Sequence, residues 1–115
     1  MTERQNEPRL THATVSVLRA MLENPGGKLY GLEVCAIAGL PTGTVHPILA
    51  RLEGLGWLKS AWEQVDPKAE GRPRRRYYQL SEDGAMRART AVDRADAQAA
   101  RLRGLRPIGL AGGTA

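Results

Sequence analysis

The sequence predicts a mainly α-helical fold with one small β-hairpin, and three observations support this. Four separate segments have helical character, with apolar residues at helical spacing. Between positions 57 and 80, two segments rich in strand-forming residues flank a stretch of aspartate, proline and glycine. The last helical segment repeats small apolar residues at alternating intervals of three and four. The 115 residues suit a single domain, and no internal repeat or long linker divides them.

The first helix is predicted from Thr11 to about Asn24. Threonine is a good N-cap, because its hydroxyl accepts a hydrogen bond from a free backbone N–H of the first turn. The sequence Pro25-Gly26-Gly27 ends this helix. Residues 1–9 are polar and lack periodicity, so we expect a flexible arm there. The apolar residues of the first helix are Ala13, Val17, Leu18, Met21 and Leu22.

Two further helices follow, separated by a short turn. The second is predicted over residues 30–38, with the sequence YGLEVCAIA, and Gly39 ends it. The third begins at Pro41 or Thr42, since proline suits the first helical position and threonine caps well. It runs to about Leu55.

The third helix has two contrasting faces. The apolar face carries Val45, Ile48, Leu49, Leu52 and Leu55. The opposite face carries Gly43, His46, Pro47, Ala50 and Arg51, with Thr42 and Thr44 at its edge. Mid-helix, Pro47 removes a backbone hydrogen bond and crowds the preceding turn. From the pattern alone we expect a kink or a break at Pro47.

A β-hairpin with a long basic tip is predicted next. Residues 57–65 and 75–80 are rich in strand formers, and the segment DPKAEGRPR between them has turn chemistry. A solvated loop is the alternative explanation for the basic residues. Four arginines fall in the five positions from 72 to 76, namely Arg72, Arg74, Arg75 and Arg76.

The last helix is predicted to begin at Ser81. Glu82 and Asp83 lie in its first turn, where the helix dipole favours anions. The same segment repeats apolar residues in a heptad pattern, which forms a seam along one face of the helix. Such a seam favours dimerisation, and packing against the chain's own domain is the alternative. We therefore expect residues 81–104 to form a C-terminal dimerisation helix and residues 105–115 a flexible tail. The seam consists of Ala85, Ala88, Val92, Ala95, Ala99 and Leu102.

The charge and cysteine content narrow the class of protein. The net charge of +5 and the pI of about 10.0 favour an anionic partner, of which nucleic acid is the commonest and a membrane surface the other candidate. Cys35 is the one cysteine, which indicates a reducing compartment, and we expect a buried, inert thiol. No apolar signal core and no membrane span is apparent, so we expect a soluble, cytoplasmic protein without a membrane partner.

The order of these elements predicts a winged helix-turn-helix DNA-binding domain over residues 10–80. The GLP turn joins the second and third helices, and the basic hairpin would be the wing. A helix with a small, polar outer face can enter the major groove, while arginines of a wing meet the backbone or the minor groove. The candidate DNA-binding residues are Lys28, Tyr30, Thr42, Gly43, Thr44, His46, Arg51, Arg72, Arg74 and Arg75.

The motifs over roughly residues 10–103 resemble those of the PadR-like transcriptional regulators. They are YGLEV, then TGTVHPILARLEGLGWL, a tryptophan at position 62, and the YY doublet before LSEDG. Members of this family carry a proline within the DNA-reading helix, which accounts for Pro47. The chain has His46 where a tyrosine is typical and Pro41 where a serine is common, and its short last helix resembles the smaller branch of the family.

The resemblance implies a homodimer held by the last helix, binding to inverted-repeat operators, and repression. Some relatives bind a small molecule at the dimer interface, but the last helix here has no aromatic residue to line such a site. A small-molecule effector is therefore compatible with the family but unsupported by this sequence.

The function predicted is that of a homodimeric, sequence-specific transcriptional regulator of double-stranded DNA. A winged-helix protein-interaction module and an RNA-binding winged helix are the alternatives. The basic tip argues against the interaction module, which would not need it, but an RNA-binding domain would share the basic charge. The sequence has no metal-ligand spacing, nucleophile motif or phosphate-binding glycine loop, so we expect neither an enzyme nor a cofactor.

Overall fold

Five helices and three strands make up the fold, which a computed structural model describes for residues 8–104. The expected tail over 105–115, and the expected arm except for its last two residues, lie outside this range. The elements are α1 (His12–Leu22), β1 (Leu29–Tyr30), α2 (Gly31–Ala38), α3 (Thr42–Gly54), β2 (Leu58–Trp62), α4 (Pro67–Glu70), β3 (Arg76–Leu80) and α5 (Glu82–Gly104).

The sheet has three antiparallel strands in the order β1-β3-β2, whereas the sequence analysis predicted a two-stranded hairpin. Leu29 pairs with Tyr78 and Tyr30 with Tyr77, so Tyr30 belongs to a strand and α2 begins one residue later. A strand of two residues is too short to show an alternating pattern, which is why β1 was missed. The short strand β1 therefore connects the start of α2 to the hairpin.

The hairpin itself is confirmed, but its strands are shorter than expected and its tip is more ordered. Residues 66–70 include a short helix, α4, in a segment predicted to be a turn. Asp66 caps it by accepting a hydrogen bond from the Lys68 amide at 3.0 Å. Pro67 occupies the first helical position, and Gly71 closes the helix in the left-handed region at φ 70°.

The caps predicted at Thr11 and Ser81 are confirmed. Thr42 does not cap α3, because it is the first residue of that helix, and Pro41 occupies the N-cap position without a side-chain hydrogen bond. Thr11 Oγ1 accepts from the Thr14 amide at 3.1 Å, and Ser81 Oγ accepts from the Gly84 amide at 2.9 Å. The first helix ends at Leu22, two residues before the predicted end.

The expected break at Pro47 is absent, since α3 is one continuous helix. Pro47 lies on the exposed face, so the Gly43 carbonyl that loses its helical partner is on the side of the helix that faces solvent. One missing hydrogen bond near the start of the helix does not end it, because buried residues hold the opposite face.

The core gathers around α1 and the inner face of α3. The largest fully buried side chains are Leu18, Met21, Leu49, Leu52, Val17, Val34 and Val45. The start of α5 is joined to this core at Gly84, where a Cβ would lie 1.9 Å from the Trp57 carbonyl oxygen. A glycine is therefore needed at position 84 for the helix to approach the backbone this closely.

Among the described residues, no single helix is long and apolar enough to cross a membrane. The pair α2 and α3 reaches that length and composition only together, and the two helices meet at a bend of 113°.

Candidate nucleic-acid interface

The turn between α2 and α3 sets the direction of the third helix. Gly39 adopts a left-handed conformation with φ 71°, and the amides of Gly39 and Leu40 both donate to the Cys35 carbonyl, at 2.9 and 3.1 Å. The chain then turns into α3 at the 113° bend. This arrangement is a helix-turn-helix.

The two faces predicted for α3 are present. Val45, Leu49 and Leu52 are fully buried. Thr44 and Ile48 are half-buried at the boundary. The exposed residues of α3 include Thr42, Gly43, His46, Pro47, Ala50 and Arg51. The helix therefore presents a small, polar surface to its surroundings.

His46 is oriented by a contact within its own helix and lies beside the start of α2. Its Nδ1 lies 3.1 Å from the Thr42 carbonyl oxygen, and because a carbonyl only accepts, this geometry places a proton on Nδ1. Its Nε2 points to the start of α2, where it lies 3.1 Å from the position of a Cβ on Gly31. A side chain at position 31 would push against the imidazole.

Tyr30 is a packing residue as well as a candidate contact. Its ring meets the Tyr77 ring edge-on, with the centroids 5.6 Å apart, and the Arg75 guanidinium carbon lies 4.2 Å from its centroid. The Tyr30 amide donates to Glu33 Oε1 at 3.0 Å, within the first turn of α2. Lys28, two residues earlier, is exposed.

The four arginines of the wing fall into two classes. Arg72 and Arg76 pair with carboxylates. Arg72 forms a bidentate pair with Glu63, at 2.7 and 3.0 Å, and Arg76 Nη2 lies 3.4 Å from Glu53 Oε2. Arg72 was predicted to contact DNA, but in the structure the carboxylate of Glu63, the residue directly after β2, engages its guanidinium.

Arg74 and Arg75 have no carboxylate within 4.0 Å among residues 8–104. Arg74 is exposed, and its Nε donates to the Val65 carbonyl at 2.9 Å. The guanidinium of Arg75 stacks on Tyr30. Both keep donors that an anion can use.

Glu63 contacts two arginines of the wing tip, and it is not among the site residues predicted from the sequence. Its Oε1 also accepts from the Arg75 amide at 3.0 Å, and its side chain is only 13% exposed. The hydrogen bonds from Arg72, followed by the Arg75 amide, outweigh burial and lower the pKa of Glu63 to about 2. The hydrogen bond to Glu63 raises the pKa of Arg72.

The signal for Glu63 was present in the sequence. Its amide donates to the Arg75 carbonyl at 2.9 Å, so residues 63 and 75 oppose each other just beyond the paired strands. A hairpin register would have placed this glutamate beside the arginines, but the strand ends were predicted too far out to fix that register.

Two of the candidate residues, Tyr30 and His46, meet at a notch between the start of α2, helix α3 and the wing. It has a volume of about 230 Å³, and Trp62, 54% exposed, forms part of its wall. Tyr30, His46 and Arg76 line it too, while Lys28 lines the outer face of the sheet. Exposed basic and polar groups thus surround a junction of helix and wing.

A sequence model of the transcriptional regulator PadR-like family matches residues 27–90, which is more than half of the chain. The chain belongs to the PadR-like family. This match confirms the resemblance, and it confirms that the chain belongs to a class of regulators and not to an enzyme family.

Solved structures similar to this PadR-like chain are winged-helix regulators. A MarR-family regulator from Rhodococcus sp. RHA1 has a TM-score of 0.64 at 23% identity, over 91% of this chain and 69% of that one. BpsR of Bordetella bronchiseptica, whose DNA binding is regulated by 6-hydroxynicotinic acid, has a TM-score of 0.59 at 21% identity, over 89% and 70%. Overoxidized AbfR bound to DNA has a TM-score of 0.56 at 21% identity, over 75% and 60%.

At these identities the neighbours establish the winged-helix fold. The chain spans 60% of the AbfR chain and 60% of a MarR-family regulator from Silicibacter pomeroyi DSS-3. No curated protein sequence matches the chain.

The heptad seam of this PadR-like chain is divided between two environments. Ala88 and Val92, at 0% and 9% exposure, belong to the chain's own core, and Ala85 and Ala95 pack partly against it. The burial of Ala88 and Val92 in one copy of the chain favours the alternative explanation for this part of the seam, namely packing against the chain's own domain, where α1 contacts α5. The exposed part of the seam is Ala99 and Leu102.

A groove of about 980 Å³ lies along α1 and the distal half of α5. Arg19 and Asp96 form an ion pair beside it, which raises the pKa of Arg19 and lowers that of Asp96. The apolar residues that line the groove are Leu10, Val15, Ala95, Ala97, Ala99 and Leu102. Cys35 lies elsewhere and is buried, as predicted.

Proposed function

We propose that this PadR-like chain is a sequence-specific DNA-binding regulator that acts as a homodimer and represses transcription from an inverted-repeat operator. One observation carries the proposal. The exposed face of α3 is small and polar, and beside it lies a wing with two arginines that have no carboxylate partner among the described residues.

The exposed face of α3 is suited to reading bases in the major groove. Gly43 and Ala50 allow close approach, while Thr42, Thr44 and His46 offer hydrogen-bonding groups. Because Nδ1 donates to the Thr42 carbonyl, Nε2 of the neutral His46 ring is an acceptor, which suits a base amino group in the major groove.

The remaining cationic residues are suited to the DNA backbone. Arg74 and Arg75 extend the contact through the wing, and Arg51 on α3 and Lys28 before β1 are exposed as well. Phosphate contacts of this kind supply affinity and register, while α3 supplies sequence preference. We assign Arg72 a structural role in the wing, through its pair with Glu63, and not a contact with DNA.

A second copy of the chain is the occupant that we propose for the groove along α1 and α5. Leu102, at 57% exposure, lies beside it with Ala99, and burial of these residues gives the dimer a hydrophobic contact. Two copies related by a twofold axis present two α3 helices, and this symmetry requires an inverted repeat in the DNA. We place this activity in the cytoplasm.

A protein-interaction module and an RNA-binding winged helix are the alternatives. An interaction module has no need for unpaired arginines at the wing tip. An RNA-binding domain shares the basic charge, but the deep, narrow major groove of A-form RNA does not admit α3.

The deciding experiment is gel-shift binding to DNA upstream of the protein's own gene, with a scrambled duplex and a double-stranded RNA of the same sequence as controls. We also propose selection from a random-sequence duplex pool, in case the operator is remote. Tight, selective binding that weakens steeply with salt is the expected result. Equal, weak binding to all probes and no enriched sequence would reject the proposed function.

A further inference from the structure

Charge alone does not explain how the wing is built. Four arginines within five positions repel one another, and a loop that carries them would be expected to spread in solution. The structure instead divides their roles: Arg72 and Arg76 at the two ends of the run are paired with carboxylates, and Arg74 and Arg75 between them are unpaired among residues 8–104. The organising contacts come from two glutamates outside the run.

We infer that Glu63 is a positioning residue for DNA binding. It withholds Arg72 from DNA, fixes the backbone at Arg75, and so directs the Arg75 guanidinium at the phosphate backbone. This inference rests on the proposed DNA-binding function and assigns the roles within that same surface.

The contacts of Arg72 leave it little capacity for a phosphate. Its guanidinium donates twice to Glu63 and once to the Pro73 carbonyl, and Nη2 lies 3.6 Å from Glu70. Its own amide donates to the Pro67 carbonyl at 3.2 Å. Arg72 thus joins β2, α4 and the arginine run into one unit.

Arg75 connects the tip of the wing to Tyr30 at the start of α2. Its amide donates to Glu63 Oε1, and its carbonyl accepts from the Glu63 amide. With the backbone held on both sides, the side chain lies across the Tyr30 ring. Tyr30 in turn precedes α2, so Arg75 is carried to the junction of the wing and the helix-turn-helix.

A second glutamate fastens the base of the wing to α3. Glu53 Oε2 accepts from Ser60 Oγ at 2.6 Å and lies 3.4 Å from Arg76 Nη2. The guanidinium of Arg76 lies 5.3 Å from the Trp62 ring centroid. This connection keeps β2 and β3 at a defined distance from α3, while Glu63 orders the tip of the wing.

The test compares two expectations for DNA affinity that have opposite signs. Removal of a carboxylate raises the net charge by one per protomer, and by charge alone this should tighten binding to any duplex. Because Glu63→Ala would also release Arg72, the comparison is made in an Arg72→Ala background. If Glu63 positions Arg75, Glu63→Ala in that background should weaken binding several-fold and lower the salt slope by about 0.9 for each lost phosphate contact per protomer. Glu63→Gln, which keeps an acceptor oxygen, should recover part of the loss.

Glu70→Ala is the matched control, because it makes the same charge change in the same tip. Within residues 8–104, the Glu70 carboxylate has only the longer contact with Arg72, so this variant should bind a mixed-sequence duplex as tightly as the wild type or more tightly. If Glu63→Ala and Glu70→Ala both tighten binding, the positioning role is wrong.

Amide hydrogen exchange of the free protein gives a readout that needs no DNA. Glu63→Ala should speed exchange at the Arg75 amide and leave the amides of α1 protected, which also shows that the variant is folded. Unchanged Arg75 protection would overturn the inference even if the wild type binds DNA. Absence of duplex binding by the wild type at low salt would instead reject the proposed function.

Discussion

At the scale of single residues, the most restrictive position is Gly84. A Cβ there would lie 1.9 Å from the Trp57 carbonyl oxygen and 2.6 Å from its carbon, and these are backbone atoms that cannot move aside cheaply. Trp57 also accepts from the Ser81 amide at 2.9 Å, so the start of α5 is held at this point from two directions. The close approach explains why a glycine is tolerated inside a helix.

Gly84→Ala should therefore destabilise the fold by at least about 2 kcal/mol, as expected for overpacking against backbone. The measurement is urea unfolding of the variant and the wild type. Gly54→Ala is the control, since Gly54 is also in a helix and no other element in the described part of the chain comes within 4 Å of its Cβ position. It should be neutral or stabilise by about 0.4–1 kcal/mol. Equal stability of the two variants would contradict the close contact.

Glu63 predicts how stability depends on pH. Folding lowers its pKa from 4.5 to about 2, so its hydrogen bonds contribute stability that is fully present above pH 4.5. That contribution is lost as the pH falls towards 2, because the carboxylate is then protonated in both states.

The stability of Glu63→Gln should consequently fall below that of wild type at neutral pH and approach it near pH 2. Urea unfolding at a series of pH values measures this difference. A difference that stays constant across the acid range would show that the ionised carboxylate has no special role.

At the scale of elements, the wing and α3 form one surface through specific side chains. The Glu53 contacts with Ser60 and Arg76 link α3 to both strands of the hairpin, and Tyr30 links β1 to Arg75. Because these contacts come from different elements, the position of the wing relative to α3 is set by tertiary structure. The arginines therefore differ in role although they are neighbours in sequence.

The two unpaired arginines should account for the contribution of the wing to salt dependence. Replacement of both Arg74 and Arg75 by alanine should flatten the salt slope on a mixed-sequence duplex by up to about 1.8 per protomer, at about 0.9 for each lost phosphate contact. Lys68→Ala, an exposed cation on α4, serves as the control for general loss of charge. If the slope of the double variant equals that of the control, the wing does not touch phosphate.

At the scale of the whole molecule, the two halves of α5 have different surroundings. Its first half closes the core through Ala88, Ala91 and Val92, and its second half leaves the domain with Ala99 and Leu102 exposed. A charge at Val92 would disturb the chain's own core and so cannot test dimerisation. Leu102 is the appropriate position.

Leu102→Glu should convert the proposed dimer into a folded monomer, because it places a charge on the apolar wall of the groove. Sedimentation velocity measures the change, and circular dichroism checks that the helices persist. Ala100→Glu is the control, since Ala100 is exposed on α5 but does not line the groove. An unaltered dimer in Leu102→Glu would refute the proposed interface.

The sequence by itself determined the order of the helices and the hairpin, the caps at Thr11 and Ser81, and the two faces of α3. These features depend on local chemistry, namely the spacing of apolar residues and the side chains that satisfy free backbone amides. The basic run at residues 72–76 was visible for the same reason, as a local concentration of charge.

Only the tertiary structure decided how these parts are used. It paired β1 with β3, used Ala88 and Val92 for the chain's own core, and separated the paired arginines from Arg74 and Arg75. Each of these outcomes depends on groups that are distant along the chain, such as Glu53 and Arg76 or α1 and α5. A periodic pattern shows that a face is apolar, but the packing of the folded chain decides what covers it.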